Sequence, residues 1–420
     1  MKDPYANFVA TTFHNGLRVY ASELPDVGWE AVACIVYAGA ADDPKGKKGL
    51  AHFTEHLVSK NIPGVPYDNA REFFSQQGGS VSFGRTGYSC TVYEFFSSTD
   101  PALFQKALTI FGSMLFGSSL SEFIDRERRV IQGEYNKNFP VQLPFDRLRW
   151  RREALFSGHP SLDGFTDSLG TLDSIAAIDK GDVQAFYDTY YVPANVAVVA
   201  IGGLSCAQVF RALAREIGFS RSESGVSNHT RKRSWNIPTP SVSSREIRLG
   251  DYITTPINSG EYLTGVALPL DLNYDALRLL SKMIYQILFE EFRQKRSWVY
   301  EVKMSMVFFR DVRECTIGFM GLRSEVIGKT DELVDECIAQ VADASDLFMK
   351  VYQTAIAELY MRDQSGRGIR DGAVDDLVEF NKIYTREEDV WGRRAVTFND
   401  VKKLLPLLQR SRRWTFLAHP

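Results

Sequence analysis

The sequence predicts an α+β fold of two similar domains, each a mainly antiparallel sheet with helices packed on one face. Three observations lead there. The chain's 420 residues exceed what one hydrophobic core usually serves. Short alternating or β-branched runs are interleaved with stretches of helical apolar spacing. A polar stretch rich in Ser, Arg, Pro and Asn, residues 220–244, is followed by a second half that repeats the order of the first. The domains are therefore expected at 1–220 and 245–420, with 221–244 as the linker.

In chain order, Leu17-Arg18-Val19-Tyr20 after Asn15-Gly16, and then Glu30 to Tyr37, read as two strands around a turn. A helix is predicted over Leu50 to Lys60, with Leu50, Phe53 and Leu57 on one side. Helical spacing returns at 68–77 and 101–117, separated by Gly78-Gly79 and a strand near Ser89 to Phe96. Gly84 and Gly87 read as turns, because no Gly-Lys-Ser/Thr follows to make a phosphate loop. Helices at about 120–155 and 180–190 precede Val196 to Ile201, a β-branched run closed by Gly202-Gly203 and read as a buried strand. In the second half, a strand from Glu261 to Ala267 leads into a helix from Asp275 to Arg293, strands within 299–321, and helices at 324–363 and 397–409.

Composition narrows the function. Lys plus Arg number 49 against 52 Asp plus Glu, so no global field gathers nucleic acid or acidic membranes, and neither is expected as a partner. Cys34, Cys90, Cys206, Cys315 and Cys337 are odd in number and lack any C-x-x-C pair, which argues against a disulfide framework and a thiolate metal site. The N-terminus lacks a basic start followed by a long apolar stretch, and nowhere do 18 apolar residues run together. A soluble cytoplasmic protein is the expectation.

The chemistry concentrates at His52-Phe53-Thr54-Glu55-His56. At about 100° per residue His52, Glu55 and His56 fall together on the helix side opposite Leu50, Phe53 and Leu57. Two neutral imidazoles can hold one zinc ion while the carboxylate stands beside it, and a catalytic site needs one more protein ligand. In Ser121 to Asn136 the stripe Phe123, Ile124, Glu127, Ile131 and Glu134 would turn two carboxylates inward, which is costly without a partner. Glu134 as third ligand, with Glu127 behind a ligand histidine, supplies one. The bland alternative is two surface histidines and two glutamates paired with Arg126, Arg128 or Arg129 in solvent. His14 and His159 read as structural, His229 and His419 as linker and tail. Arg147, Arg149, Arg151 and Arg152 read as a solvated helix face.

These residues resemble the pitrilysin and mitochondrial processing peptidase family of inverted His-x-x-Glu-His zinc peptidases. The likeness includes Gly49 to His56, the Glu127-x6-Glu134-Tyr135 segment, Asn15-Gly16-Leu17-Arg18-Val19, His159-Pro160 and Tyr190-Tyr191-Val192-Pro193-Ala194-Asn195. It implies an endopeptidase with one zinc per chain on His52, His56 and Glu134, Glu55 as general base and peptides as substrates. Arg293-x6-Tyr300 is similar to the arginine and tyrosine that the family's metal-free half presents to substrate. The length resembles two-domain members that pair, implying a homodimer, with a heterodimer beside a related subunit as the alternative. After Gly78-Gly79 the family shows Asn-Ala at the substrate edge, where this chain has Ser82-Phe83 and one extra residue before Thr91-Val92-Tyr93. Ser82 and Phe83 are therefore the expected edge contacts, with a peptide adding as a strand. The competing reading is a non-catalytic or partner-dependent subunit of a processing-peptidase-like complex.

Overall fold

The computed structural model describes residues 3–60, 62–76, 81–118, 120, 122–138, 168–216, 219, 244–248, 260–269, 271–308, 313–362 and 365–419. The expected linker up to residue 243, His159, His229 and the four arginines between 147 and 152 lie outside these residues.

The first sheet uses β1 (Val9–Thr12), β2 (Arg18–Glu23), β3 (Trp29–Val36), β4 (Val81–Thr86), β5 (Thr91–Ser98) and β6 (Val196–Gly202), in the order β1-β2-β6-β3-β5-β4. Asn15-Gly16 turns β1 into β2, so the first hairpin starts earlier than the sequence reading placed it. Among its described strands only β2 and β6 pair in parallel, with Tyr20 opposite Val199. The second sheet uses β7 (Ser244–Arg248), β8 (Gly260–Leu268), β9 (Glu301–Phe308), β10 (Arg313–Leu322) and β11 (Trp414–His419), ordered β7-β11-β8-β10-β9. Here β7 and β11 make the parallel pair. Apart from β1, the two sheets share strand order and strand sense. The repeat is thus carried by topology, which strands preserve through their pairing even where side chains diverge.

Helices α1 (Leu50–Lys60), α2 (Tyr67–Gln76), α3 (Pro101–Gly117), α4 (Ile124–Asn138), α5 (Leu172–Ala177), α6 (Lys180–Tyr190) and α7 (Cys206–Arg215) belong to the first unit. Their apolar sides meet one face of its sheet, where Val32, Cys34 and Val36 of β3, Tyr93 and Phe95 of β5, and Val196, Val198 and Ala200 of β6 point. The alternate residues Ala31, Ala33, Ile35, Val92, Ala197, Val199 and Ile201 form a second core on the opposite face. Strands buried on both faces read as unbroken apolar runs, which explains the Val196 to Ile201 pattern.

The remaining helices are α8 (Tyr274–Leu288), α9 (Thr330–Gln340), α10 (Ser345–Arg362), α11 (Gly366–Phe380), α12 (Arg386–Arg394) and α13 (Phe398–Lys402). In the second unit Leu280, Met283 and Ile284 of α8 and Val334 of α9 pack with Tyr262, Val266, Ile317 and Phe319 of its sheet. Instead of remaining α-helical to Arg293, α8 widens into a π turn, Phe289–Lys295. One element departs from the expected division. Residues 360–387 group with the first unit, not with 245–420, because Ile369, Ala373, Val374 and Leu377 of α11 cover the second face of the first sheet. All five cysteines are free thiols. Among the described residues, no helix is long and apolar enough to cross a membrane.

Candidate metal centre

Helix α1 is anchored at its start by Asp43, whose carboxylate accepts hydrogen bonds from the amides of Gly49 at 2.7 Å and Ala51 at 2.8 Å. Those amides would otherwise be orphaned at the helix N-terminus. Phe53 and Leu57 face the core, which leaves His52, Glu55 and His56 turned toward α4 and β4. Helix α4 is fixed by Arg128, which donates to the carbonyls of Ile175 and of Ile178, the latter at 2.8 Å, with its guanidinium over the Phe53 ring. Ile131 is buried and Glu127 is only 2% exposed, so α4 presents Glu127 and Glu134 to α1. Phe123 does not join that stripe. It lies before the helix at φ 65° and is 41% exposed.

The ligand atoms of His52, His56 and Glu134 all lie within 4.8 Å of one another. Each imidazole Nε2 is 3.7 Å from Glu134 Oε2, too long for a hydrogen bond. Tetrahedral zinc with ligands at 2.0–2.1 Å has ligand-to-ligand edges of about 3.3–3.4 Å, so the two 3.7 Å separations lie a few tenths of an ångström outside such an edge and the side chains would draw in around an ion. No second cluster of three such side chains occurs among the described residues; His14 is an exposed turn residue and His419 ends β11.

Burial, assisted by the nearby His56, lowers the His52 pKa to about 3, which keeps its ring neutral and able to ligate. His56 differs. Its Nδ1 is 3.1 Å from Glu127 Oε2, and although burial opposes a charge there, this carboxylate with Glu55 and Glu134 moves the pKa of His56 upward. For Glu127, burial alone would raise the pKa, but the bond to His56 draws it below the ordinary value.

Glu55 is not among the three converging ligands. It is 8% exposed, and burial pushes its pKa up to about 7 against the opposing influence of His56 and Thr86. Its Oε2 accepts a hydrogen bond from the Thr86 hydroxyl at 2.9 Å. A Cβ on Gly84 would fall 2.4–2.6 Å from Glu55 Cγ, Cδ and Oε1. Gly84 is therefore no turn residue. It lies in edge strand β4, at a β-bulge between Ser82 and Arg85, the same stretch where the sequence carries one residue more than the family pattern. Sequence reasoning missed both Gly84 and Thr86.

Ser82 is half-buried and pairs with Glu94 across the sheet. Phe83 corrects an expectation: its side chain packs in the core against Tyr67 and Phe111, so it is not a side-chain contact for substrate. In the second unit the Arg293 guanidinium lies over the Tyr300 ring, 5.2 Å from its centroid, and Tyr300 is 74% exposed.

Residues 22–142 match the model of insulinase (peptidase family M16) and residues 177–347 that of the peptidase M16 inactive domain. The chain belongs to the M16 peptidase family. It is 28% identical over 210 residues to the zinc protease PqqE of Helicobacter pylori, covering 48% of this chain and 44% of that one. It is 26% identical over 250 residues to the mitochondrial-processing peptidase subunit beta of Blastocladiella emersonii, covering 59% and 50%. The alignments span half or less of these two curated relatives. Among solved structures, a protease from Helicobacter pylori superposes with a TM-score of 0.85 at 18% identity over 98% of this chain and 99% of the other. A peptidase M16 inactive domain from Pseudomonas fluorescens gives 0.82 at 18% identity over 99% and 98%. At such identity the likeness concerns the fold.

Proposed function

We propose that this chain is a zinc endopeptidase acting on peptides or small unfolded polypeptides, with His52, His56 and Glu134 as the metal ligands and Glu55 as general base. The supporting observation is the convergence of two imidazole Nε2 atoms on Glu134 Oε2, with the buried carboxylate of Glu55 held beside them by its own partner, Thr86. Zinc, when bound, supplies Lewis acidity that stabilises charge on the scissile carbonyl oxygen and lowers the pKa of water.

The chain's own residues do the remainder. Glu55, buried and held by the Thr86 hydroxyl, is placed to take a proton from water and return it to the leaving amine. Glu127 holds the His56 ring. Among the described residues β4 is the edge strand of its sheet, and its open side is where an extended peptide would add. Arg293 and Tyr300 serve as substrate contacts in this reading, and the active form is a dimer.

The test is Glu55→Gln, measured for zinc content and for cleavage of a quenched peptide. Zinc should stay at one per chain while turnover falls by roughly three orders of magnitude or more. Substantial residual cleavage by the purified variant removes Glu55 from the role of base. A wild-type chain that binds no zinc and cleaves nothing supports the competing reading, a non-catalytic subunit.

A further inference from the structure

We propose that Thr86 is a positioning residue for Glu55, selecting which carboxylate oxygen is left to act as the base, and that Gly84 makes the room this requires. The inference rests on the proposed function and extends it to residues outside the motif.

The direction of the hydrogen bonds carries it. Thr86 Oγ1 lies 2.9 Å from Glu55 Oε2 and 3.4 Å from Thr91 Oγ1. Thr91 donates its own hydroxyl hydrogen to the carbonyl of Ala38 at 2.9 Å. A hydroxyl has one hydrogen, and a carboxylate can only accept. The Thr86 hydrogen therefore goes to Glu55, and Thr91 stands behind it as a fixed neighbour. This engages Oε2 and leaves Oε1 as the more basic atom.

Gly84 acts from two residues away. Its φ of 144° and a virtual Cβ 2.5 Å from Oε1 mean that the bulged strand closes on the carboxylate where any side chain would displace it. Residues i and i+2 of a strand face the same side. The same edge strand thus grips Glu55 twice, by a donor on one oxygen and by bare backbone beside the other. A strand threonine chosen for β propensity alone would need neither the donor geometry nor the glycine.

The experiment uses the full-length chain as Thr86→Val, Thr86→Ser and Gly84→Ala. Zinc stoichiometry, KM and kcat on a quenched peptide are measured, and the orientation of Glu55 is read from zinc-free crystals. Thr86→Val is expected to lower kcat about 10- to 100-fold while KM and zinc content stay within about twofold, and Thr86→Ser to restore kcat to within about threefold. Gly84→Ala should lower kcat with Thr86 intact. In zinc-free crystals the Glu55 carboxylate should be rotated in the valine variant and in place in the serine variant. Unchanged kcat in Thr86→Val, a loss of zinc that parallels the loss of rate, or a serine variant as slow as valine overturns the proposal. A wild-type chain without peptidase activity instead overturns the proposed function, and the carboxylate orientation in the zinc-free crystals then decides the positioning role by itself.

Discussion

Glu127 Oε2 sits 3.1 Å from Nδ1 of His56, inside the protein, while Nε2 of the same ring points to Glu134. With Nδ1 as donor to the carboxylate, Nε2 carries the lone pair that a metal needs. Glu127→Gln keeps the shape and removes the charge that fixes this tautomer. Zinc affinity, measured by competition with a chelator, is expected to fall about 10- to 100-fold. Affinity equal to the wild type would mean that His56 is oriented by packing alone.

Metal binding should also appear as stability, because a site assembled from α1 and α4 exists only in the folded chain. At free zinc about 100 times its Kd, the gain is about 2.7 kcal/mol. Chelation is expected to lower Tm and added zinc to restore it. In Glu134→Ala the zinc-dependent part of Tm should disappear, since the third ligand comes from the other helix. A Glu134→Ala chain that is stabilised by zinc as strongly as the parent would place the third ligand elsewhere.

The parts of the site legible in the sequence are those whose partners are local. His52, Glu55 and His56 are brought together by helical spacing, and Glu127 and Glu134 were exposed as candidates by the cost of turning carboxylates inward. Thr86 and Gly84 were not, because a threonine and a glycine before a hairpin turn give no periodic signal, and their meaning comes from a helix some 30 positions away, the Thr86 to Glu55 separation being 31. Helix α11 was hidden for a similar reason. Gly366, Gly368 and Gly372 give it poor intrinsic propensity. All three glycines allow close approach: a Cβ on Gly366 would lie 2.1 Å from the Trp29 ring, one on Gly368 1.9 Å from the Arg362 carbonyl oxygen and one on Gly372 2.5 Å from the Tyr5 hydroxyl. Phe83 was misread in the other direction, since an edge-strand residue can face either substrate or core and a bulge decides which.

Leu377 tests whether α11 belongs to the stability of the first unit. It is 1% exposed and joins Ile369, Ala373 and Val374 over Ala31, Ala33, Val199 and Ile201. Leu377→Ala is expected to cost roughly 2–4 kcal/mol in urea unfolding followed by a probe in the first unit, with zinc content unaffected in the folded protein. A cost below about 0.5 kcal/mol, the range of surface substitutions, would show that α11 is dispensable to that core.

The final expectation concerns a carboxyl group remote from the site. Glu30 on β3 is fully buried; its Oε2 accepts the Leu204 amide at 3.1 Å, while Oε1 has no hydrogen-bond partner among the described residues. Burial raises its pKa from 4.5 to about 8, only partly opposed by the Leu204 amide, and nearby Glu23 adds to the rise. Between these two values the unfolded chain has released the Glu30 proton and the folded chain retains it. Unfolding then releases a proton, so rising pH favours it, and the stability lost accumulates from pH 4.5 to about 8 and levels off above. At about 1.4 kcal/mol per pKa unit, the effect on unfolding amounts to roughly 5 kcal/mol. Glu30→Gln cannot ionise and keeps an acceptor for the Leu204 amide. The difference in unfolding free energy between variant and wild type should therefore shift in favour of the variant as pH rises from 5 to 8, and stay level from 8 to 9. Taking the difference cancels other groups that titrate in the same range, Asp43 included. A difference independent of pH across that window would mean that Glu30 titrates alike in the folded and unfolded chain.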